Sequence, residues 1–139
     1  MKETGGPGIG SETGFQHTMG MRLVEWDTDR AVMELDLAPQ HRNSHGTVHG
    51  GMVAAMIDNT GGMAGLHVRE GGRPRRAVTL SLTTSFMRPV AAGTIRAEGR
   101  KRSGGRRIYF STVEVTDGEG NLVAIGEATY RYISTDATP

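Results

Sequence analysis

The chain contains no cysteine, which excludes disulfides, a thiol nucleophile and cysteine-ligated zinc. It has no marked excess of either charge. Across 139 residues, 16 Lys and Arg stand against 15 Asp and Glu, so no overall field calls for nucleic acid or an anionic membrane surface. No run is both apolar and long enough to cross a bilayer; the most apolar stretch, residues 50–66, is short and holds five glycines. The first residues lack the basic-then-apolar pattern of a secretory signal, and a soluble cytoplasmic protein is expected. Also missing are the Gly-x-Ser-x-Gly elbow, the P-loop and the dinucleotide-binding glycine fingerprint. Serine-hydrolase, nucleotide-triphosphatase and dehydrogenase chemistries fall away with them.

What is present suits one domain with a core of its own. Residues 1–14 are too poor in apolar side chains to order themselves, so the sequence predicts an N-terminal arm there and a single domain over 15–139. Met33, Leu35 and Leu37 alternate with Glu34 and Asp36, the pattern of a half-buried strand. The segment around Met21 to Trp26 is placed to pair with it through the turn at Asp27 to Asp29. From Ala77 to Met87 a second alternation puts Val78, Leu80, Leu82 and Phe86 on one face and Thr79, Ser81, Thr83 and Ser85 on the other. Strands over 94–102, 107–116 and 122–133 follow, with Ser103 to Gly105 and Asp117 to Gly120 as hairpin turns. Short connections make these strands antiparallel.

Between Gly50 and Leu66 the only charged residue is Asp58. A solvent-facing helix carries a charged face, so this segment is predicted to be a helix buried over most of its circumference, with the sheet curled about it. The fold class is α+β. A carboxylate in that setting is costly unless something pairs it, protonates it or uses it. At the helix entrance, Gly50 and Gly51 offer backbone N–H groups with no intrahelical acceptor, next to the positive end of the dipole. That is either an anion-stabilising hole for a reacting carbonyl or only a tight loop-to-helix junction. Asn43 and His49 flank it. Asp58 lies eight residues past Gly50, roughly 12 Å along the axis. One chain therefore cannot bring both to the same carbonyl, and a dimer with composite sites is expected.

Two other patterns weigh less. His41, His45 and His49 recur every fourth residue, but Pro39, Asn43, Ser44 and Gly46 argue against a helix and no carboxylate lies near. The run falls short of a metal site, and no cofactor is expected. Arg73, Arg75, Arg76, Arg88, Arg106 and Arg107 belong to a loose basic group that suits solvated turns or the phosphates of a nucleotide-bearing substrate.

At Asn43, His49-Gly50-Gly51 and Asp58, and again at Ser85-Phe86-Met87-Arg88-Pro89, the chain resembles the hotdog-fold acyl-CoA thioesterases of the PaaI-like (phenylacetic acid degradation) branch. The likeness spans about residues 17–133. It implies a hotdog fold, a curved antiparallel sheet around one long helix, in homodimers that often pair into homotetramers. It also implies hydrolysis of an acyl-CoA to a free acid and CoA. By that likeness the Gly50 N–H polarises the carbonyl with help from Asn43, His49 shapes the loop, and Asp58 is general base or nucleophile. Matching back from Phe86 puts the water-positioning hydroxyl at Thr79. Gly51 lets the substrate approach, and Arg88, Arg106 and Arg107 would meet CoA phosphates. A hotdog dehydratase and a non-catalytic acyl-CoA-binding module are the alternatives, and acyl-carrier protein competes with CoA as the carrier. The acyl group itself stays open.

Overall fold

The computed structural model describes residues 14–133. The arm expected over residues 1–14 lies outside these apart from Gly14, as do 134–139 at the other end. A short helix α1 (Gly14–Met19) precedes strands β1 (Arg22–Asp27) and β2 (Arg30–Asp36). The long helix α2 (Gly50–Ala64) comes next, then β3 (Arg76–Phe86), β4 (Thr94–Gly104), β5 (Ile108–Thr116) and β6 (Leu122–Ile133). The six strands form one sheet in the order β1-β2-β4-β5-β6-β3, every neighbouring pair antiparallel. This is the hotdog arrangement of one helix laid against a curved sheet. The strand order makes β3 an edge strand, although it follows the helix directly in sequence.

The inner face of the sheet and one side of α2 make the core. Met33, Leu35, Ile95, Val113 and Val115 from the strands meet Met56 and Ile57 of the helix, each at most 1% exposed. Burying a side chain of this kind stabilises the fold by about 1.5–3 kcal/mol. Three tyrosines then fasten the helix. Tyr130 Oη donates to Asp58 O at 2.7 Å, Tyr109 Oη to Gly62 O at 2.7 Å and Tyr132 Oη to Gly65 O at 2.9 Å. Residues 58, 62 and 65 share one helix face, so the phenols form a row beneath it. The glycines in this half of the helix exist for that approach. A Cβ at Gly61 would lie 2.6 Å from Tyr130 Oη, and one at Gly65 would overlap the Tyr109 ring.

Several expectations need correcting. The helix ends at Ala64 with Gly65 as its cap, two residues short of Leu66. It is not enclosed all round, because Gly51 is exposed and Ala54, Ala55, Asp58, Asn59 and Gly62 are only partly covered. Residues at these spacings form one strip along the helix. The turn between β4 and β5 falls after Gly104, closed by Gly105 N–H donating to Ile108 O, rather than at Ser103. Helix α1 had no periodicity to reveal it in six residues.

The largest departure is in β3, where a bulge interrupts the register with β6 between Thr79 and Ser81. A bulge inserts an extra residue and reverses the side-chain alternation beyond it. Thr79 pairs with the inward-facing Tyr130, while Leu82, Thr84 and Phe86 pair with Ala128, Gly126 and Ala124. Thr79 thus joins the helix side, and Ser81, Thr83 and Ser85 go to the outer face. The single alternation read from sequence does not hold across position 80.

Candidate active site

The loop leading into α2 is built on His41. Its ring is buried, with Nδ1 accepting from Ala38 N–H at 3.0 Å and Nε2 donating to Met19 O at 2.7 Å. Those two bonds fix the neutral Nε2–H tautomer and tie the end of α1 to the loop. The His41 carbonyl in turn accepts from His49 N–H at 2.7 Å. Nothing in the sequence marked His41 for this work beyond its place after Pro39.

His49 is the N-cap of α2, in extended conformation, and its Nδ1 accepts from Gly51 N–H at 2.8 Å. The amide of Gly51 is therefore satisfied within the chain and is not the open donor expected of it. A Cβ at Gly51 would lie 3.0 Å from His49 Nδ1, so glycine there keeps the cap closed. Asn43 likewise turns into its own loop. Its Oδ1 accepts from His45 N–H at 2.9 Å and Thr47 N–H at 3.1 Å, which shapes the approach to His49 rather than extending a hand over Gly50.

Gly50 opens the helix beside the Phe86 ring and lines a cavity of ≈ 330 Å³ with Val53, Met87, Arg88 and Val123 among its walls. Eight residues on, Asp58 sits on the partly covered strip of α2. Its Oδ1 accepts from Thr79 Oγ1 at 2.7 Å, an interaction made possible by the bulge that turns Thr79 inward. The two residues are 21 apart in sequence. Asp58 and Thr79 line a smaller recess of ≈ 160 Å³ together with Met63, Leu66, Ala77 and Tyr130. The Tyr130 phenol is pushed far above its ordinary pKa, first by burial and then by the nearby charge of Asp58. The raised pKa keeps it a proton donor to the Asp58 carbonyl at neutral pH. Tyr130 is a site residue that the sequence reading passed over.

Gly50 and Asp58 thus lie at two separate places in one chain, near opposite ends of β3: Phe86 lies against Gly50, and Thr79 against Asp58. The basic residues divide in the same way. Arg88 is exposed at the β3 exit beside Gly50, whereas Arg106 and Arg107 are exposed in the β4–β5 turn, near the start of β3. Within one chain these arginines cannot grip the same ligand, since β3, at 11 residues, spans roughly 30 Å or more. Among the described residues no cluster of three His, Asp or Glu side chains offers a metal site. Among the same residues no helix is long and apolar enough to cross a membrane.

Comparison with known proteins agrees with this fold. The thioesterase superfamily matches residues 45–124, a span that holds His49, Gly50, Gly51, Asp58, Thr79 and Arg88 but not His41, Asn43 or Tyr130. Acyl-coenzyme A thioesterase 13 of Homo sapiens is 32% identical over 120 residues, covering 83% of this chain and 82% of that protein. A mutant of the phenylacetic acid degradation protein PaaI from Thermus thermophilus superposes with a TM-score of 0.73 at 30% identity, over 84% of this chain and 96% of the other. A thioesterase from Haemophilus influenzae shares the fold, with a TM-score of 0.82 at 20% identity over 91% and 87% of the two chains. The chain belongs to the thioesterase superfamily.

Proposed function

We propose that this thioester hydrolase cleaves acyl-CoA to a carboxylic acid and CoA at sites shared between two copies of the chain. In each site the Asp58 carboxylate of one copy faces the α2 N-terminus of its partner. The observation that carries the reading is the Asp58–Thr79 pair, a partly exposed carboxylate oriented by a hydroxyl at 2.7 Å on an edge strand.

Strand β3 supports the second copy. It has an unpaired edge, and Val78, Leu80 and Phe86 are 45%, 54% and 54% exposed. An open, apolar edge of this length is a template for another strand. Antiparallel pairing of β3 with itself about a two-fold near Leu82 and Thr83 brings Thr79 of one copy close to Phe86 of the other, and so Asp58 close to the partner's Gly50. The same pairing carries Arg106 and Arg107 of one copy to the end of the joined sheet where the other presents Arg88. All three then lie within reach of one set of CoA phosphates.

The chemistry needs little more. The Gly50 N–H donates to the thioester carbonyl oxygen as charge builds on it, aided by the helix dipole. With Oδ1 engaged by Thr79, Asp58 Oδ2 takes the proton of an attacking water, or attacks the carbonyl carbon itself. The C–S bond then breaks and the thiolate leaves as CoA; after direct attack, water hydrolyses the Asp58 anhydride to release the acid and restore the carboxylate. Thiolate is a good leaving group, so neither a metal nor a Ser-His pair is called for.

Asp58→Asn separates this reading from a non-catalytic acyl-CoA-binding module. It should cut thiol release by 100-fold or more, the usual span of acid–base catalysis, while a calorimetric titration with a thioether analogue of the substrate still shows binding. A variant that keeps near wild-type turnover would remove Asp58 from the mechanism.

A further inference from the structure

The Gly50 N–H is carried at one end of a small hairpin whose other end is a buried histidine. His49 N–H donates to His41 O at 2.7 Å, Arg42 bridges Val48, and Asn43 N–H donates to Thr47 O at 2.7 Å. Wherever His41 is held, the His49–Gly50 peptide is held with it. We propose, on the reading above that Gly50 donates to the thioester carbonyl, that His41 is a positioning residue for hydrolysis, aiming that N–H from behind the loop. At 3% exposure its ring lies out of a substrate's reach.

Both ring nitrogens are committed to that task. His41 closes the short helical turn Pro39–His41, and Nδ1 reaches back to the Ala38 N–H at 3.0 Å, as a Glu or Gln side chain does in a capping box. Nε2–H donates to Met19 O at 2.7 Å, at the end of α1. Helix α1 is in turn fixed to α2, since Gln16 Nε2 donates to Asn59 Oδ1 at 2.6 Å. Other ties hold the outer side of the hairpin: Val48 N–H donates to Val90 O at 2.8 Å and Arg42 Nε to Ala91 O at 2.9 Å. They anchor the loop to the segment after β3, whereas His41 anchors it to α1 and through α1 to α2. If packing were the whole requirement, an apolar side chain would fill this place with no buried polar atoms to satisfy. A displacement of about 1 Å at a reacting group can cost on the order of 100-fold in rate, so a slack hairpin base is felt at Gly50. The loss falls on kcat, because the donated bond strengthens as charge builds on the oxygen.

His41→Phe fills the space without donor or acceptor, and His41→Gln supplies both from one amide. Each is measured for kcat, KM and calorimetric binding of a thioether analogue of the substrate. His41→Phe should lower kcat about tenfold or more, with KM and binding within about threefold, and His41→Gln should recover most of that loss. Should the phenyl ring prevent folding, His41→Leu takes its place. Mixed dimers then locate the effect. His41→Phe chains refolded with Asp58→Asn chains should regain activity, since one site unites an intact loop with an intact Asp58. Refolded with Gly50→Ala chains they should regain none, since both carry damage in the same half of the site. Equal kcat loss in the apolar and Gln variants, a change confined to KM, or recovery with Gly50→Ala would overturn the proposal. If Asp58→Asn and Gly50→Ala chains fail to restore one another, the shared site falls, and the contrast between His41→Phe and His41→Gln alone decides the role of His41.

Discussion

Glycine at position 50 is demanded neither by its backbone nor by its neighbours. Its φ is not positive, and an added Cβ would meet only the Phe86 ring, at 3.6 Å, an ordinary contact. Gly51 next door is different, since a side chain there presses on the His49 cap. If the space over Gly50 is kept for a carbonyl, Gly50→Ala should fold with an unchanged melting temperature yet lose most of its thiol release. A variant with normal turnover would return Gly50 to the status of a plain junction. Thr79 is tested by the pair Thr79→Val and Thr79→Ser. Valine keeps the shape but drops the hydrogen bond to a charged group, worth about 1.5–3 kcal/mol. Thr79→Val is therefore expected to lower kcat about 10- to 100-fold with little change in KM, and Thr79→Ser to restore most of it. Equal kcat in both variants would leave Thr79 as ordinary packing.

At the scale of elements, the glycines and tyrosines of α2 and its sheet act as paired parts. Alanine in place of a mid-helix glycine ordinarily stabilises by up to about 1 kcal/mol. Gly61→Ala should do the reverse here, because its Cβ would sit 2.6 Å from Tyr130 Oη, and overpacking costs about 1–3 kcal/mol. Tyr130→Phe removes that oxygen and its bond to Asp58 O, at about 0.5–1.5 kcal/mol. The double variant should lose less than the two single variants added together, a coupling that urea melts of all four proteins would measure. Strict additivity would mean the two groups do not meet. The opposite edge of the sheet contributes to the acid limit, alongside Asp117 in the β5–β6 turn, whose carboxyl pKa is lowered by the Asn121 amide. The Glu25 carboxyl is held below its usual range by Arg30 and then Arg96, and that of Asp36 by the Thr94 hydroxyl and then Arg22. Both groups bind protons more readily in the unfolded chain, so their contribution is complete above about pH 4.5 and fades as the pH falls through the depressed folded values. Melting temperature should be level above that point and drop below it, more gently in 1 M salt. A steeper loss on the alkaline side would contradict this assignment. Much of this layer was legible beforehand. The alternation of Met33 with Glu34, and the turn at Asp27 to Asp29, gave β1 and β2 because one face of each strand is wet. The phase of β3 was hidden, since a bulge leaves no mark in the order Thr79-Leu80-Ser81 and that strand is open on both faces in the single chain. The row of tyrosine hydroxyls was hidden for another reason: its bonds run 47, 67 and 72 residues apart, far beyond any local pattern.

The molecule as a whole raises the question of what one chain leaves unfinished. From sequence, the lone charge of Asp58 amid small and apolar residues drew attention to α2, and the roughly 12 Å to Gly50 led to the expectation of a second copy. The sequence did not reveal which surface a second copy could use, because that depends on β3 lying at the sheet edge although it follows the helix directly. The folded chain leaves open both that edge and the strip of α2 that carries Ala54, Ala55, Asp58 and Asn59. A pair formed there is expected to be isologous, each copy giving the other what it receives. Leu80→Lys together with Leu82→Lys should put charge on the shared edge, shift sedimentation from dimer or larger toward monomer, and abolish turnover. Complementation is the sharper test. Asp58→Asn and Gly50→Ala chains are each expected to be inactive alone. A mixed dimer, however, unites the intact Asp58 of one chain with the intact Gly50 of the other in one of its two sites. Refolding an equal mixture gives half mixed dimers, so activity should recover to about a quarter of the wild-type value. A site confined to one chain recovers nothing on mixing, and that result would dismantle the composite site whatever the oligomeric state proved to be.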